Sequence, residues 1–408
     1  MASSRRAVLE LFLSAAKVGL LNMRWDIMCP LCRGAKATSS SLDQVSKGTH
    51  CATCNIDFEA DFAQNVELTF TPHPQIRPVY DTLYCVGGPM VTPHILVHQI
   101  IQPGETRQLR VKLEAGCYRI RAQRPGIETL INLEQQAVAL DIRAAAQTIQ
   151  AHCSTARPQV PLDSPANQKI IVTITNQADY AQRVYLEQGA WVTDAVTAAE
   201  VTALQHFRDL FSDQVLRPGE EIGVQSMTIL FSDLVGSTAM YNRWGDAPSY
   251  ALVREQFAFL QRLIREHEGA IVKTIGDAIM AVFADPAKGV SAALAIQAQI
   301  HSFNTTHPNE PIVIKLGLHQ GPCLAVNLND KLDYFGTTVN LAARLQGQSQ
   351  GGDVVISEKL RHDPAVVKLL EEMEVKVTPF ETSIKGFDEH FHLYRLTLPR
   401  PEFIAIVA

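Results

Sequence analysis

IVKTIGDAIMAVF, residues 271–283, decides how the chain is read. Two apolar runs flank a Gly-Asp pair, the pattern of a β-hairpin whose tight turn needs the permissive backbone of Gly276. Between Glu268 and Asp285 the only charged residues are Lys273 and Asp277. Charges in so apolar a hairpin need partners, unless they are a solvated lysine and a turn aspartate on a surface. Other carboxylates nearby would decide between these readings.

Upstream, residues 227–231 form a continuous apolar run that ends in Ser232-Asp233, and Leu234-Val235-Gly236-Ser237-Thr238 enters a short helix. A carboxylate at the end of a buried strand, ahead of such a loop, suits a metal-bound phosphate: Asp233 would hold Mg²⁺ while the amides around Gly236, Ser237 and Thr238 face anionic oxygens. An aspartate that only caps the following helix is the plainer alternative. Residues 246–267 read as a long amphipathic helix and 286–303 as a second, alanine-rich one. Residues 312–319 read as a strand, with 321–329 returning from it. Residues 332–345, LDYFGTTVNLAARL, become helical from Thr338, which sets Asn340 and Arg344 four apart on one face.

The N-terminal half differs. Residues 5–20 form an amphipathic helix with Val8, Leu9, Phe12, Leu13, Ala16 and Leu20 at helical spacing, and Glu10 and Lys17 interrupt what would otherwise resemble a twin-arginine signal. A strand over 23–28 leads into Cys29 and Cys32, with Cys51 and Cys54 following after eighteen intervening residues. Two such knuckles can complete a tetrahedral four-sulfur site with no open position, which predicts one structural Zn²⁺, a redox dithiol being the alternative. His50 is a bystander. The ribbon has only Arg33, Lys36 and Lys47 against Asp43, too few cations for a nucleic-acid reader. Short alternating runs at 66–70, 95–101, 107–113, 117–122, 169–175 and 183–186 predict an antiparallel β-sandwich. A helix over 197–211 then leads through Arg217-Pro218-Gly219 to a boundary near 222.

Composition agrees with a multidomain globular protein: 408 residues, 46% hydrophobic, 19% charged and a net charge of -6, which offers no general affinity for nucleic acid or anionic membranes. The uncharged piece 86–104 carries three prolines and two histidines, so no spanning helix is expected. A cytoplasmic protein is expected, its thiols serving metal rather than disulfides.

The motifs FSDLVGST, VKTIGD and DYFGTTVNLAAR, in this order, resemble the catalytic domain of class III nucleotidyl cyclases, which turn ATP or GTP into the 3′,5′-cyclic nucleotide and pyrophosphate. The resemblance implies an α+β ferredoxin-like fold and active sites shared across a homodimer. Asp233 and Asp277, with the Leu234 carbonyl, would hold two Mg²⁺ or Mn²⁺. Lys273 and Asp333 would read the purine, Asn340 would orient the ribose, and Arg344 would meet the transition state. Lys385 resembles a late lysine that touches the triphosphate. Lysine with aspartate is the family's adenine-type pair, since adenine presents an N1 acceptor and an N6 donor. ATP is therefore expected over GTP, with a guanylate cyclase or a silent nucleotide-binding regulator as alternatives. The expected organisation is a helix and zinc ribbon at 1–62, a β-sandwich at 63–195, a helical linker at 196–222, the cyclase domain at 223–398 and a tail at 399–408. An unknown regulator would act on the N-terminal domains.

Overall fold

The computed structural model describes residues 4–30, 32–52, 54–79, 95–114, 116–122, 128–133, 139–154, 170–188, 195–308, 311–387 and 390–398. Residues 86–94 of the uncharged piece, residue 169 of the strand expected over 169–175, and the tail 399–408 lie outside these.

Helix α1 (Arg5–Lys17) begins where Ser4 accepts from the Ala7 amide at 3.2 Å, and it buries Leu9 and Leu13, four apart on one face. Five strands follow: β1 (Leu21–Met28), β2 (Ala35–Ser39), β3 (Gly48–Cys51), β4 (Ile56–Glu59) and β5 (Val66–Pro72). β1 pairs antiparallel with β2 on one side and β5 on the other, while β3 and β4 form a separate hairpin. The run at 66–70, expected to open the sandwich, therefore belongs to the N-terminal sheet. Val66 and Leu68 bury against the core of Trp25 and Ile27.

The sandwich contains β6 (Ile95–Ile101), β7 (Thr106–Val111), β8 (Gly116–Ala122), β9 (Glu128–Leu133), β10 (Ala139–Ala144), β11 (Ile149–Ser154), β12 (Ile170–Asn176) and β13 (Gln182–Gln188). Two four-stranded sheets, β6-β13-β8-β9 and β11-β10-β12-β7, share one core, with Ile101, Ile120 and Leu186 from the first against Leu140, Val172 and Ile174 from the second. The expected all-antiparallel arrangement fails in the second sheet, where β10 and β12 run parallel. Parallel neighbours need a long crossover, and β11 lies within it.

On leaving the sandwich the chain returns beside β5, where the Leu68 amide donates to Val196 O at 2.8 Å. The single helix expected over 197–211 is two, α2 (Ala198–Thr202) and α3 (Gln205–Leu210), because Leu204 turns extended between them. Neither is a free linker. Val201 and Phe207 belong to the same core as Trp25, whose ring meets Phe207 edge-on at 6.0 Å. The N-terminal module is thus discontinuous, with the sandwich inserted into it.

The C-terminal domain runs β14 (Glu221–Leu234), α4 (Ser237–Trp244), α5 (Asp246–Glu266), β15 (Ala270–Ile275), β16 (Ala278–Phe283), α6 (Pro286–Thr306), β17 (Ile314–Leu328), β18 (Lys331–Phe335), α7 (Thr337–Gly347), β19 (Val354–Ser357), α8 (Glu358–Arg361), α9 (Pro364–Glu372), β20 (Lys376–Ser383) and β21 (His390–Thr397). Its eight-stranded sheet has the order β15-β16-β14-β17-β19-β21-β20, with β18 added to β17. β17 continues through 321–328, where a return was expected; the turn comes at Asn329-Asp330, both at positive φ (53° and 56°) as in a type I′ hairpin. Both faces are buried, as continuous apolar runs require. Ile279, Ala281 and Phe283 of β16 pack with α5, α6 and α9, and Met280 and Val282 pack on the opposite face with α7 and the N-terminal module. The module also reaches β14 directly, through the Phe62 amide to Gly223 O at 2.9 Å. No helix among the described residues is long and apolar enough to cross a membrane.

Candidate active site

β15 and β16 close on a two-residue loop, Gly276-Asp277, between paired Ile275 and Ala278, and Gly276 takes φ +63°. The ladder between β14 and β16 pairs Ser232 with Ile279, so the end of β14 comes beside this turn. Asp233, the penultimate residue of β14, has its acid raised above the ordinary carboxyl value, first by burial and then by the charge of Asp277. Asp277 Oδ2 is buried without a hydrogen-bond partner. An orphaned carboxylate oxygen next to a carboxylate whose ionisation is opposed is a donor set that fits a hard dication such as Mg²⁺ or Mn²⁺. Leu234, the last residue of β14, is buried beside it. Gly236, at φ +71°, is the N-cap of α4, and Ser237 and Thr238 form its first turn, immediately after the strand.

Lys273 and Asp333 meet. The β15–β16 register shifts between Ile271 and Lys273, so Val272 bulges out, and Lys273 Nζ comes within 2.6 Å of Asp333 Oδ2 on β18. Asp333 Oδ1 accepts from the Tyr334 amide at 2.7 Å. Asp333 is 8% exposed and Lys273 37%, so the pair is fixed at its base and open at its tip.

α7 lies across β17 where glycines allow close approach. A Cβ on Gly317 would stand 2.0 Å from the Gln346 amide nitrogen, and one on Gly321 2.5 Å from Thr338 Oγ1. The helix buries Thr338, Val339, Leu341, Ala342 and Leu345, leaving Asn340 and Arg344 exposed. Among the described residues neither side chain makes a hydrogen bond or ion pair, and nothing joins them to Asp233 or Asp277 of the same chain. Gln346, which sequence reasoning missed, does reach that centre: its Nε2 donates to Asp233 Oδ2 at 3.4 Å. Lys385 is exposed in the loop after β20, and its neighbour Ile384 packs with Leu341 and Leu345 of α7.

A second cluster lies in the N-terminal module. The Sγ atoms of Cys29, Cys32, Cys51 and Cys54 are all within 4.8 Å of one another, with Cys32 and Cys51 3.9 Å apart. A tetrahedral ion with metal–sulfur bonds of about 2.3 Å needs sulfurs about 3.8 Å apart, so the four fit. The residue after each pair, Arg33 (φ 57°) and Asn55 (φ 50°), turns left-handed, giving two matched knuckles. Cys32 is lowered to about 4, chiefly by a hydrogen bond from Cys29, while burial pushes Cys54 up to about 12. His50 stands apart, exposed, with Nδ1 2.8 Å from Asp57 Oδ1.

Residues 221–396 match the family model described as "Adenylate and Guanylate cyclase catalytic domain", and residues 2–82 match a family of unknown function, DUF5939. Among curated proteins, the chain is 31% identical over 154 residues to the receptor-type guanylate cyclase Gyc76C of Drosophila melanogaster, covering 35% of this chain and 10% of that protein. It is 27% identical over 194 residues to an adenylate cyclase of Anabaena cylindrica, covering 43% of this chain and 38% of that one. The chain thus spans well under half the length of these relatives. Among solved structures, the adenylyl cyclase CyaB from P. aeruginosa aligns at 22% identity and a TM-score of 0.39, covering 44% of this chain and 97% of that one.

Proposed function

We propose, from the premise that residues 221–396 are a class III adenylate and guanylate cyclase catalytic domain, that the protein is an adenylate cyclase whose active sites are shared across a homodimer. The observation that carries the choice of base is the Lys273–Asp333 pair at 2.6 Å. It offers a donor beside an acceptor, the complement of the N1 and N6 edge of adenine, whereas guanine reverses that polarity. Relatives of both specificities align with the chain, so this reading rests on the pair alone.

Asp233 and Asp277, with the Leu234 carbonyl, would hold two Mg²⁺ or Mn²⁺. Such ions, when bound, lower the pKa of the ribose 3′-hydroxyl and neutralise the triphosphate. Gly236, Ser237 and Thr238 offer amides to phosphate oxygens, and Lys385 adds a cation. Asn340 holds the ribose in line for attack on the α-phosphorus, and Arg344 meets the charge that gathers on the non-bridging oxygens with a planar fork of donors. Loss of such a donor costs about 10²–10³ in rate. The exposure of Asn340 and Arg344, facing away from the sheet that carries their own Asp233, supports their serving a partner's site. In the N-terminal module the four cysteines would hold one structural Zn²⁺.

Turnover of ATP and of GTP with Mn²⁺, with Asp277→Ala as the inactive control, tests the reading. Cyclic AMP is expected as the main product. Preference for GTP would overturn the base assignment, and no cyclic product from a folded dimer would favour the silent regulator.

A further inference from the structure

The N-terminal module and the purine-reading pair meet at α2 and α3. Thr202, the last residue of α2, donates its hydroxyl proton to Ala198 O at 2.6 Å and so accepts from the hydroxyl of Tyr334, 2.8 Å away. Tyr334 is fully buried and follows Asp333 on β18. From α3, Arg208 donates through Nε to Thr202 O at 2.7 Å and through Nη1 to Leu332 O at 2.9 Å, with its guanidinium 5.7 Å from the centre of the Tyr334 ring. Leu332 and Tyr334 are the two chain neighbours of Asp333. Gln205, also buried, accepts from the Ile271 amide at 2.8 Å, beside the bulge that aims Lys273, and its Nε2 is held by Asp209 Oδ1 at 2.8 Å. Three side chains from one short segment therefore engage both chain neighbours of Asp333, at the Leu332 carbonyl and the Tyr334 hydroxyl, and the strand just ahead of Lys273.

We propose that Thr202, Gln205 and Arg208 are positioning residues for base recognition, holding Lys273 and Asp333 at the spacing that reads the purine edge, so that the N-terminal module sets nucleotide affinity and discrimination. The inference rests on reading Lys273 and Asp333 as the purine contacts. Its physical basis is that hydrogen bonds weaken steeply with misalignment. β15 is an edge strand, fastened on one side only by β16, so its free edge at Ile271 takes its position from Gln205. Among the described residues β18 likewise pairs as a strand with β17 alone, and Thr202 and Arg208 hold it from the side of the N-terminal module.

The test uses the full chain with Mn²⁺, measuring KM and kcat for ATP and GTP. Thr202→Val and Tyr334→Phe delete the same hydrogen bond from opposite sides, so one remains informative if the other fails to fold. Each is expected to raise KM for the preferred nucleotide and to shrink the ratio of kcat/KM between the two bases by about three- to tenfold, the range set by one hydrogen bond. The double variant should be no worse than either single one, and Thr202→Ser should restore the wild-type ratio. Gln214→Leu is the structural control. It removes the acceptor for Trp25 Nε1 and the Leu42 amide in the same module, and should lower Tm while leaving the ratio unchanged. If Thr202→Val and Tyr334→Phe behave like Gln214→Leu, the inference is overturned. If Asp333→Asn also leaves the ratio unchanged, the purine reading falls with it; if Asp333→Asn changes the ratio and they do not, only the positioning role is lost.

Discussion

His319 on β17 is a partly buried imidazole whose Nδ1 lies 2.8 Å from Ser357 Oγ, and desolvation, aided by the charge of Lys359, lowers its pKa from 6.5 to about 4. The folded state thus binds this proton more weakly than the unfolded chain does. The neutral ring's contribution is complete above about pH 6.5 and is lost as pH falls toward 4, a drop of about 3 kcal/mol over the window. Urea unfolding at pH 7 and pH 4.5 should show a larger loss for the wild type than for His319→Gln; equal losses would rule this histidine out as the cause. At this scale the sequence exposed the residues whose chemistry conflicts with their surroundings, Asp277 in an apolar hairpin and Asp233 at a strand end. It hid Gln346, whose approach to Asp233 depends on how α7 crosses β17. That crossing follows from Gly317 and Gly321, and one chain gives no reason to single out either glycine.

Elements were legible where a short-range signal fixes them. The β15–β16 hairpin follows from Gly276 between two apolar runs, and the cysteine knuckles from their spacing. The direction of β12 beside β10 was not legible, because alternation records which face is buried and not which way a neighbour runs. Nor was the break at Leu204, since Val201, Leu204 and Phe207 keep helical spacing through it and each is buried. The knuckles carry their own prediction. Purified protein should contain one zinc per chain by atomic absorption, and Cys51→Ser, which removes a buried ligand, should lose the metal and lower the Tm of the N-terminal module. A folded wild-type chain devoid of metal would leave a redox dithiol as the better reading.

Across the whole molecule, the seams between segments were not readable. The boundary near 222 coincides with the start of β14, yet Phe62, Thr202 and Arg208 bind the module to the cyclase sheet, and composition does not record contacts made across such a seam. If the active site is shared between protomers, Asp277→Ala and Arg344→Ala chains, each inactive alone, should recover partial activity when mixed, because one of the two sites in the heterodimer is intact. Absence of recovery in heterodimers verified by tagged co-purification would count against sharing.

The inserted sandwich has a further consequence, for leverage. The two segments that flank it run side by side, with Glu67 opposite Thr197 and Leu68 bonded to Val196. The segment that returns from the sandwich reaches Thr197, which caps α2 by accepting from the Glu200 amide at 3.3 Å. Five residues further on is Thr202, under the hydroxyl of Tyr334. A tug on these flanking segments is delivered to a helix little more than one turn long, whose far end meets Tyr334, the chain neighbour of Asp333.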